Sequence, residues 1–206
     1  MSTIWIWTWG EILGRRFAII GHDVPAKGNF SLNDLAGAAG RLDVLLRAVN
    51  TALFISHGIR EETQIVLHLE GRGSRRIKFD GGTLRGVHPD ERSIAGHVRA
   101  VVRSRMPPEG VWEECSGGIS HSGGSLDQTL KEWSDEGCTI LVMDAKGIPI
   151  EASTIDEEVG FVLSDHKSFT KSELELLDEF DKVSVGQKWL QGHSCVAIVH
   201  HHLDNS

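Results

Sequence analysis

Three apolar runs in the last third of the chain, each ending in a short polar loop, narrow the choice of fold more than any other feature. They are Cys138 to Asp144 (CTILVMD), Val159 to Asp165 (VGFVLSD) and Lys182 to Gly186 (KVSVG). Continuous apolar runs bounded by turn residues suit strands buried on both faces, as in a parallel sheet covered by helices. In open α/β sheets, ligands bind in the crevice outside the carboxyl ends of such strands. The three loops are therefore expected to converge on one small molecule. The third leads into an apolar C-terminal helix, Leu190 to Leu203. No standard phosphate cradle accompanies them. Gly71-Arg72-Gly73 begins like a dinucleotide fingerprint, but Arg76 stands where its third glycine belongs, and no P-loop occurs.

Upstream, Arg16 to Gly21 (RFAIIG) reads as a first strand. Asp34 is placed to cap a long helix from Leu35 to His57, with Gly58 as its left-handed stop. Thr63 to Glu70 and Arg75 to Phe79 read as a hairpin turning at Gly71 to Ser74. A helix is expected from Pro89-Asp90-Glu91 to about Arg105. Met106 to Gly124 reads as loop, with a folded insertion as the alternative. Ser125 and Thr170 each open a capping-box pattern, for helices to Asp135 and to about Phe180. Strands alternating with helices predict an α/β fold with a mostly parallel sheet and helices on both faces. The expected organisation is an N-terminal extension, residues 1–14, followed by one domain, residues 15–206. The extension holds three of the six tryptophans and lacks the flanks of a secretory signal.

Charge is unevenly spread. The chain carries a net charge of −8. Between Glu70 and Arg105, however, nine Lys/Arg stand against four Asp/Glu, and between Glu132 and Lys182 fourteen acids stand against four bases. A basic middle can track phosphates locally, because screening mutes distant charge; a solvated charged surface is the plainer alternative. Three scattered cysteines fit a reducing cytosol better than a disulfide framework. No run approaches the 18 apolar residues of a membrane span.

Other patterns are weaker. Ser164-Asp165-His166 holds the residue types of a hydrolase triad, but neighbours in sequence cannot assemble one. His200-His201-His202 cannot ligate one ion from a helix; His193 with His200, and Cys195 with His202, give only two ligands per face. No metal is expected. Arg41 and Asp43 near a helix start form either a local ion pair or a pairing in which Arg41 faces a substrate anion.

Taken together, the blocks RLDVLLR (Arg41 to Arg47), SHGIR (Ser56 to Arg60), IKF (Ile77 to Phe79), PDER (Pro89 to Arg92), Asp165-His166 and CVAIVHHHLD (Cys195 to Asp204) resemble one family. It is the archaeal tRNA pseudouridine-54 N1-methyltransferases of the SPOUT, or α/β-knot, superfamily, and the resemblance runs from Arg16 to about Asp204. It implies a C-terminal deep trefoil knot, a homodimer and S-adenosyl-L-methionine as cofactor. By position, cofactor contacts would fall on Met143, Ser164, Ser184, Val185, Gly186, Gln187, Lys188, Trp189 and Cys195. The family has glycine where this chain has Ser164. The reaction would move a methyl group to N1 of pseudouridine in the tRNA T-loop, in the cytoplasm, without a metal. Positioning supplies much of such a rate, and the N1 proton must pass to a side chain or water. Asp165 is the nominee for that proton, with a structural cap on the knot loop as the alternative, and Arg41 is placed at the reacting base. Arg41, Arg47, Arg60, Arg72, Arg75, Arg76 and Arg92 are the candidates to contact RNA. Val196, Ile198 and Val199 make the last helix apolar enough to expect a second subunit against it. A pseudouridine N1-methyltransferase acting on ribosomal RNA, and a non-catalytic knotted RNA-binding protein, are the alternatives.

Overall fold

A computed structural model describes residues 14–155 and 157–206; the expected N-terminal extension lies outside the described residues apart from Gly14. The first strand, β1 (Gly14–Pro25), is the hub. Phe17, Ala18, Ile19 and Ile20 are all fully buried, so successive side chains feed two cores on opposite faces of one sheet. β1 pairs in parallel with β4 (Thr63–Gly71) on one side and with β9 (Glu158–Ser164) on the other. Beyond β9 lie β8 (Thr139–Pro149) and β10 (Asp181–Ser184), both parallel. Beyond β4 the sheet turns antiparallel through β5 (Arg75–Asp80), β7 (Ile119–Gly123) and β6 (Glu113–Ser116). The eight strands run in the order β10-β8-β9-β1-β4-β5-β7-β6; β2 (Phe54–Ile55) and β3 (Gly58–Ile59) form a separate hairpin.

Helices cover both faces, as the alternating pattern predicts. Phe17, Ile19, Ile65, Leu67, Phe161 and Leu163 face a core shared with α1 (Leu42–Leu53), α2 (Glu91–Arg103) and α5 (Gly192–Leu203). Ala18, Ile20, Val66 and Val162 face a second core with Trp133 of α3 (Leu126–Asp135), and with Leu177 after α4 (Lys171–Leu176). The α3 side is tight: a Cβ on Gly160 would lie 2.5 Å from the Trp133 ring.

Several expectations are corrected. The long helix from Leu35 begins only at Leu42, because Gly40 (φ 63°) and Arg41 (φ 62°) are left-handed and no α-helix contains that backbone. Asp34 does cap, but it caps a turn, accepting the Gly37 and Ala38 N–H groups at 2.9 Å. The helix ends at Leu53, and Gly58 is a strand residue opposite Ile55. Of the two readings of residues 106–124, the structure agrees with the folded insertion: they carry the β6–β7 hairpin that completes the sheet. Ser125 precedes α3 without a capping bond to its backbone, whereas Thr170 forms a full capping box with Glu173 on a helix shorter than expected. Val196 and Val199 of α5 are buried within this chain's own core, so they do not await a second subunit.

Arg75 and Arg76 change role altogether. Both are buried, at 1% and 0% exposure, because the sheet is covered on both faces where they lie. Arg75 donates to the Val101 and Ser104 carbonyls at the end of α2. Arg76 donates to both oxygens of Glu132, at 2.8 and 2.9 Å, and stacks 4.6 Å from the Trp112 ring centroid. Neither can meet RNA in the folded chain. Arg60 is likewise committed, donating to both carboxylate oxygens of Asp204 at 3.0 and 2.6 Å. It thereby ties the strand leading to β4 to the end of α5, where buried His200 bridges Arg15 and the Ala52 carbonyl.

Removing one partner of a buried ion pair strands the other in low dielectric. Arg76→Ala should therefore lose roughly 3–5 kcal/mol of stability in urea unfolding, whereas exposed Arg72→Ala should stay within about 0.5 kcal/mol of the parent. Equal, small losses for both would contradict this assignment.

Candidate active site

The strand order reverses at β1: the chain moves from β1 outward to β4, then returns to lay β9 and β8 on the other edge. Such a switch point opens a crevice at the carboxyl ends, where β1, β8, β9 and β10 all stop. Each end contributes short polar side chains. β1 delivers His22 and Asp23, β9 delivers Ser164 and Asp165, and β10 delivers Ser184.

Asp165 is the most constrained group there. Its side chain is 0% exposed and lies in a ring of donors. The backbone N–H of His22 donates to Oδ2 at 3.1 Å, and that of Lys167 to Oδ1 at 2.8 Å. The His22 ring is 2.9 Å away through Nδ1, and His166 Nδ1 lies at 3.4 Å. On its other side, His22 Nε2 meets Glu173 Oε2 at 3.1 Å. Burial works against the His22 imidazolium, but the hydrogen bonds to Asp165 and Glu173 outweigh it and raise its pKa above the ordinary histidine value. This clamp joins β1, the loop after β9 and the first turn of α4. A carboxylate so enclosed is badly placed to accept a proton from an incoming base; it can hold its neighbours in register instead.

Arg41 reaches the same crevice from across the loop. Its guanidinium donates to Asp43 at 2.9 and 3.2 Å and feels the Asp165 charge, and both raise its pKa. Asp43, buried, also pairs with Arg47 at 3.2 Å, and Arg47 with Glu91 at 2.9 Å. The backbone is held for this purpose. A Cβ on Gly40 would sit 2.1 Å from the Asp23 carbonyl oxygen, so only glycine fits there. Arg41 follows in a left-handed conformation that costs a non-glycine residue about 1 kcal/mol. The local ion pair and the crevice-facing position, posed as alternatives by the sequence, therefore coexist.

The residues expected to hold the cofactor gather at the other edge of the crevice. Met143, Val185 and Cys195 are half-buried and pack on the core shared with α5, giving an apolar floor. Ser184 Oγ donates to Gly186 O at 2.9 Å and accepts its N–H at 3.1 Å, which folds the third loop. Ser164 Oγ bonds the Lys167 carbonyl. Gly186 to Trp189 are exposed, Trp189 at 76%. An apolar floor rimmed by loop backbone and small hydroxyls fits a nucleoside-bearing sulfonium. Charged phosphate ligands would find little there.

Sequence reasoning missed His22, the site role of Glu173 and the Asp23–Lys167 pair (2.6 Å). His22 was findable: it directly follows the first apolar strand, at a carboxyl end, where the ligand rule points. Among the described residues no group of three His, Cys, Asp or Glu is arranged to hold a metal ion, and no helix is long and apolar enough to cross a membrane. A cavity of about 320 Å³ lies elsewhere, beneath α3 and lined by Gln64, Lys78, Trp112 and Trp133.

Residues 14–206 match a family described as SAM-dependent RNA methyltransferases. The chain belongs to the SAM-dependent RNA methyltransferase family. It is similar to a tRNA (pseudouridine(54)-N(1))-methyltransferase of Haloarcula marismortui, 40% identical over 195 residues, covering 93% of this chain and 97% of that protein. A Haloferax volcanii protein of the same name is 37% identical over the same shares. Among solved structures, Archaeoglobus fulgidus Nep1 bound to S-adenosylhomocysteine shares the fold, with a TM-score of 0.67, 14% identity, and coverage of 93% of this chain and 98% of that one. The family's cofactor dependence agrees with the crevice floor, and its methyl-transfer chemistry requires the crevice to keep its shape.

The His22 clamp makes that shape pH-dependent. A histidine whose folded-state pKa is raised stabilises fully below about pH 6.5 and loses that contribution as pH climbs through the folded-state value. The urea midpoint of the parent should therefore fall as pH rises above about 6.5. His22→Gln should begin lower at pH 6 and show less of this decline. A parallel decline in both proteins would remove His22 as its cause.

Proposed function

We propose that this protein methylates N1 of pseudouridine at position 54 in the T-loop of tRNA, with S-adenosyl-L-methionine as donor. The observation that carries the reading is the 40% identity along nearly the whole length of a relative with that name, joined to a carboxyl-end crevice suited to the cofactor. In this reading Met143, Val185 and Cys195 support the adenosyl group, and Ser164, Ser184 and the backbone of Gly186 to Trp189 enclose it. Residues 15–206 act as one methyltransferase domain, and the C-terminal segment threads the knot of the SPOUT fold. The protein works in the cytoplasm.

The chain's own groups then divide the work. Arg41 binds an oxygen of the target uracil or its phosphate, its guanidinium already oriented by Asp43. Asp165 acts as a positioning residue. It orients His166, whose half-exposed ring stands beside it in the crevice and receives the N1 proton directly or through a water. A homodimer completes the site. Trp189 (76% exposed), Leu190 (40%) and Ile148 (50%) leave an apolar rim at the third loop that a second copy would cover.

The test is direct. Purified protein with S-adenosyl-L-methionine should methylate a T-arm RNA carrying pseudouridine and leave the same RNA with uridine unlabelled, since uridine N1 is occupied by the glycosidic bond. His166→Ala should lower the rate by about 10²–10⁴ with little change in RNA affinity. Equal labelling of both RNAs would exclude N1 as acceptor, and labelling confined to ribosomal RNA fragments would move the assignment to that substrate.

A further inference from the structure

We infer that one flank of α2, formed by Arg92, Arg99 and Arg103 around a bare Gly96, is the surface on which the substrate RNA lays its phosphate backbone. This rests on the tRNA reading above and says where on the chain that substrate is held. Residues 92, 96, 99 and 103 recur at helical spacing and fall on one face, turned away from buried Ile94, Val98, Val101 and Val102. The stripe spans about 16 Å along the helix. No carboxylate pairs with its three guanidiniums among the described residues. Arg92 and Arg103 instead donate to the side-chain amides of Asn33 and Asn29, each at 3.0 Å, which orients the cations without neutralising them.

Gly96 is the second, independent observation. Glycine inside a helix weakens it, and such a position normally has a packing reason. Here there is none within the chain: a Cβ at Gly96 would meet nothing within 4 Å. Open space at the middle of a cationic stripe admits the close approach of another molecule's backbone. The stripe also connects to the crevice through a chain of ion pairs, Arg41–Asp43–Arg47–Glu91, whose last member opens α2. RNA lying along α2 would thus lead toward the loop where the target base is presented. Arg75 and Arg76, which share the basic stretch of sequence, are buried and take no part.

The experiment measures anisotropy of a labelled pseudouridine-containing T-arm RNA across a KCl series, with calorimetric titration of S-adenosyl-L-methionine on the same samples. For the Arg92→Ala/Arg99→Ala/Arg103→Ala triple variant, the slope of log affinity against log salt should shrink by about 2–3, since each lost phosphate contact removes close to one released counterion. Its affinity for S-adenosyl-L-methionine should match the parent. Gly96→Gln should hold or raise Tm and still weaken RNA binding at least severalfold. A triple variant with parental slope and affinity, or a Gly96→Gln variant with parental RNA affinity, would overturn the assignment. If instead the parent protein neither binds nor methylates the T-arm RNA, it is the tRNA reading that fails.

Discussion

The structure depends on one strand being paired in parallel on both sides. β1 bonds β4 along one edge and β9 along the other, and its four central residues have no exposed surface. A strand buried on both faces and both edges cannot shift register without moving both cores. Its two flanking connections run in opposite directions across the sheet, so the carboxyl ends of β1 and β9 part into a crevice. His22, Asp165 and Ser164 stand on the rim of that opening.

The rim is held by charge more than by apolar contact. Asp165, Asp43 and Glu173 are each largely buried; Asp165 and Glu173 are tied to the His22 imidazole on β1, and Asp43 to Arg41 and Arg47 at the start of its own helix. Such pairs contribute modest net stability once desolvation is counted. What they fix is geometry: His22 couples β1 to the β9 loop and α4, while Asp43 couples the left-handed Arg41 to Arg47 and thence to α2. Positioning is the main means by which a protein accelerates methyl transfer, and a preorganised rim avoids rearrangement as the reaction proceeds.

Much of this was legible in the sequence. The apolar runs at residues 138–144, 159–165 and 182–186 became three neighbouring parallel strands, because continuous apolar runs leave few alternatives to burial on both faces. What escaped was set by tertiary context. Nothing local shows that Arg75 and Arg76 are buried, since that depends on α2 and α3 closing over β5 and on Glu132, 56 residues away, supplying the acceptor. The start of α1 was misplaced because the apolar spacing after Asp34 looks helical, while Gly40 is committed to the carbonyl of Asp23 on a distant strand. The β6–β7 hairpin was hidden by its glycines and serines; it forms because β5 offers an open edge for it to complete.

The central claim is that the cofactor is held at the carboxyl ends of β8, β9 and β10. The cavity beneath α3 is the structural alternative. Hydrogen–deuterium exchange with and without S-adenosyl-L-methionine distinguishes the two most directly. Protection should appear in residues 143–147, 164–167 and 184–195, with residues 110–112 and 129–136 unchanged. Protection centred on Trp112 and α3, with those three segments exchanging as in the free protein, would contradict it.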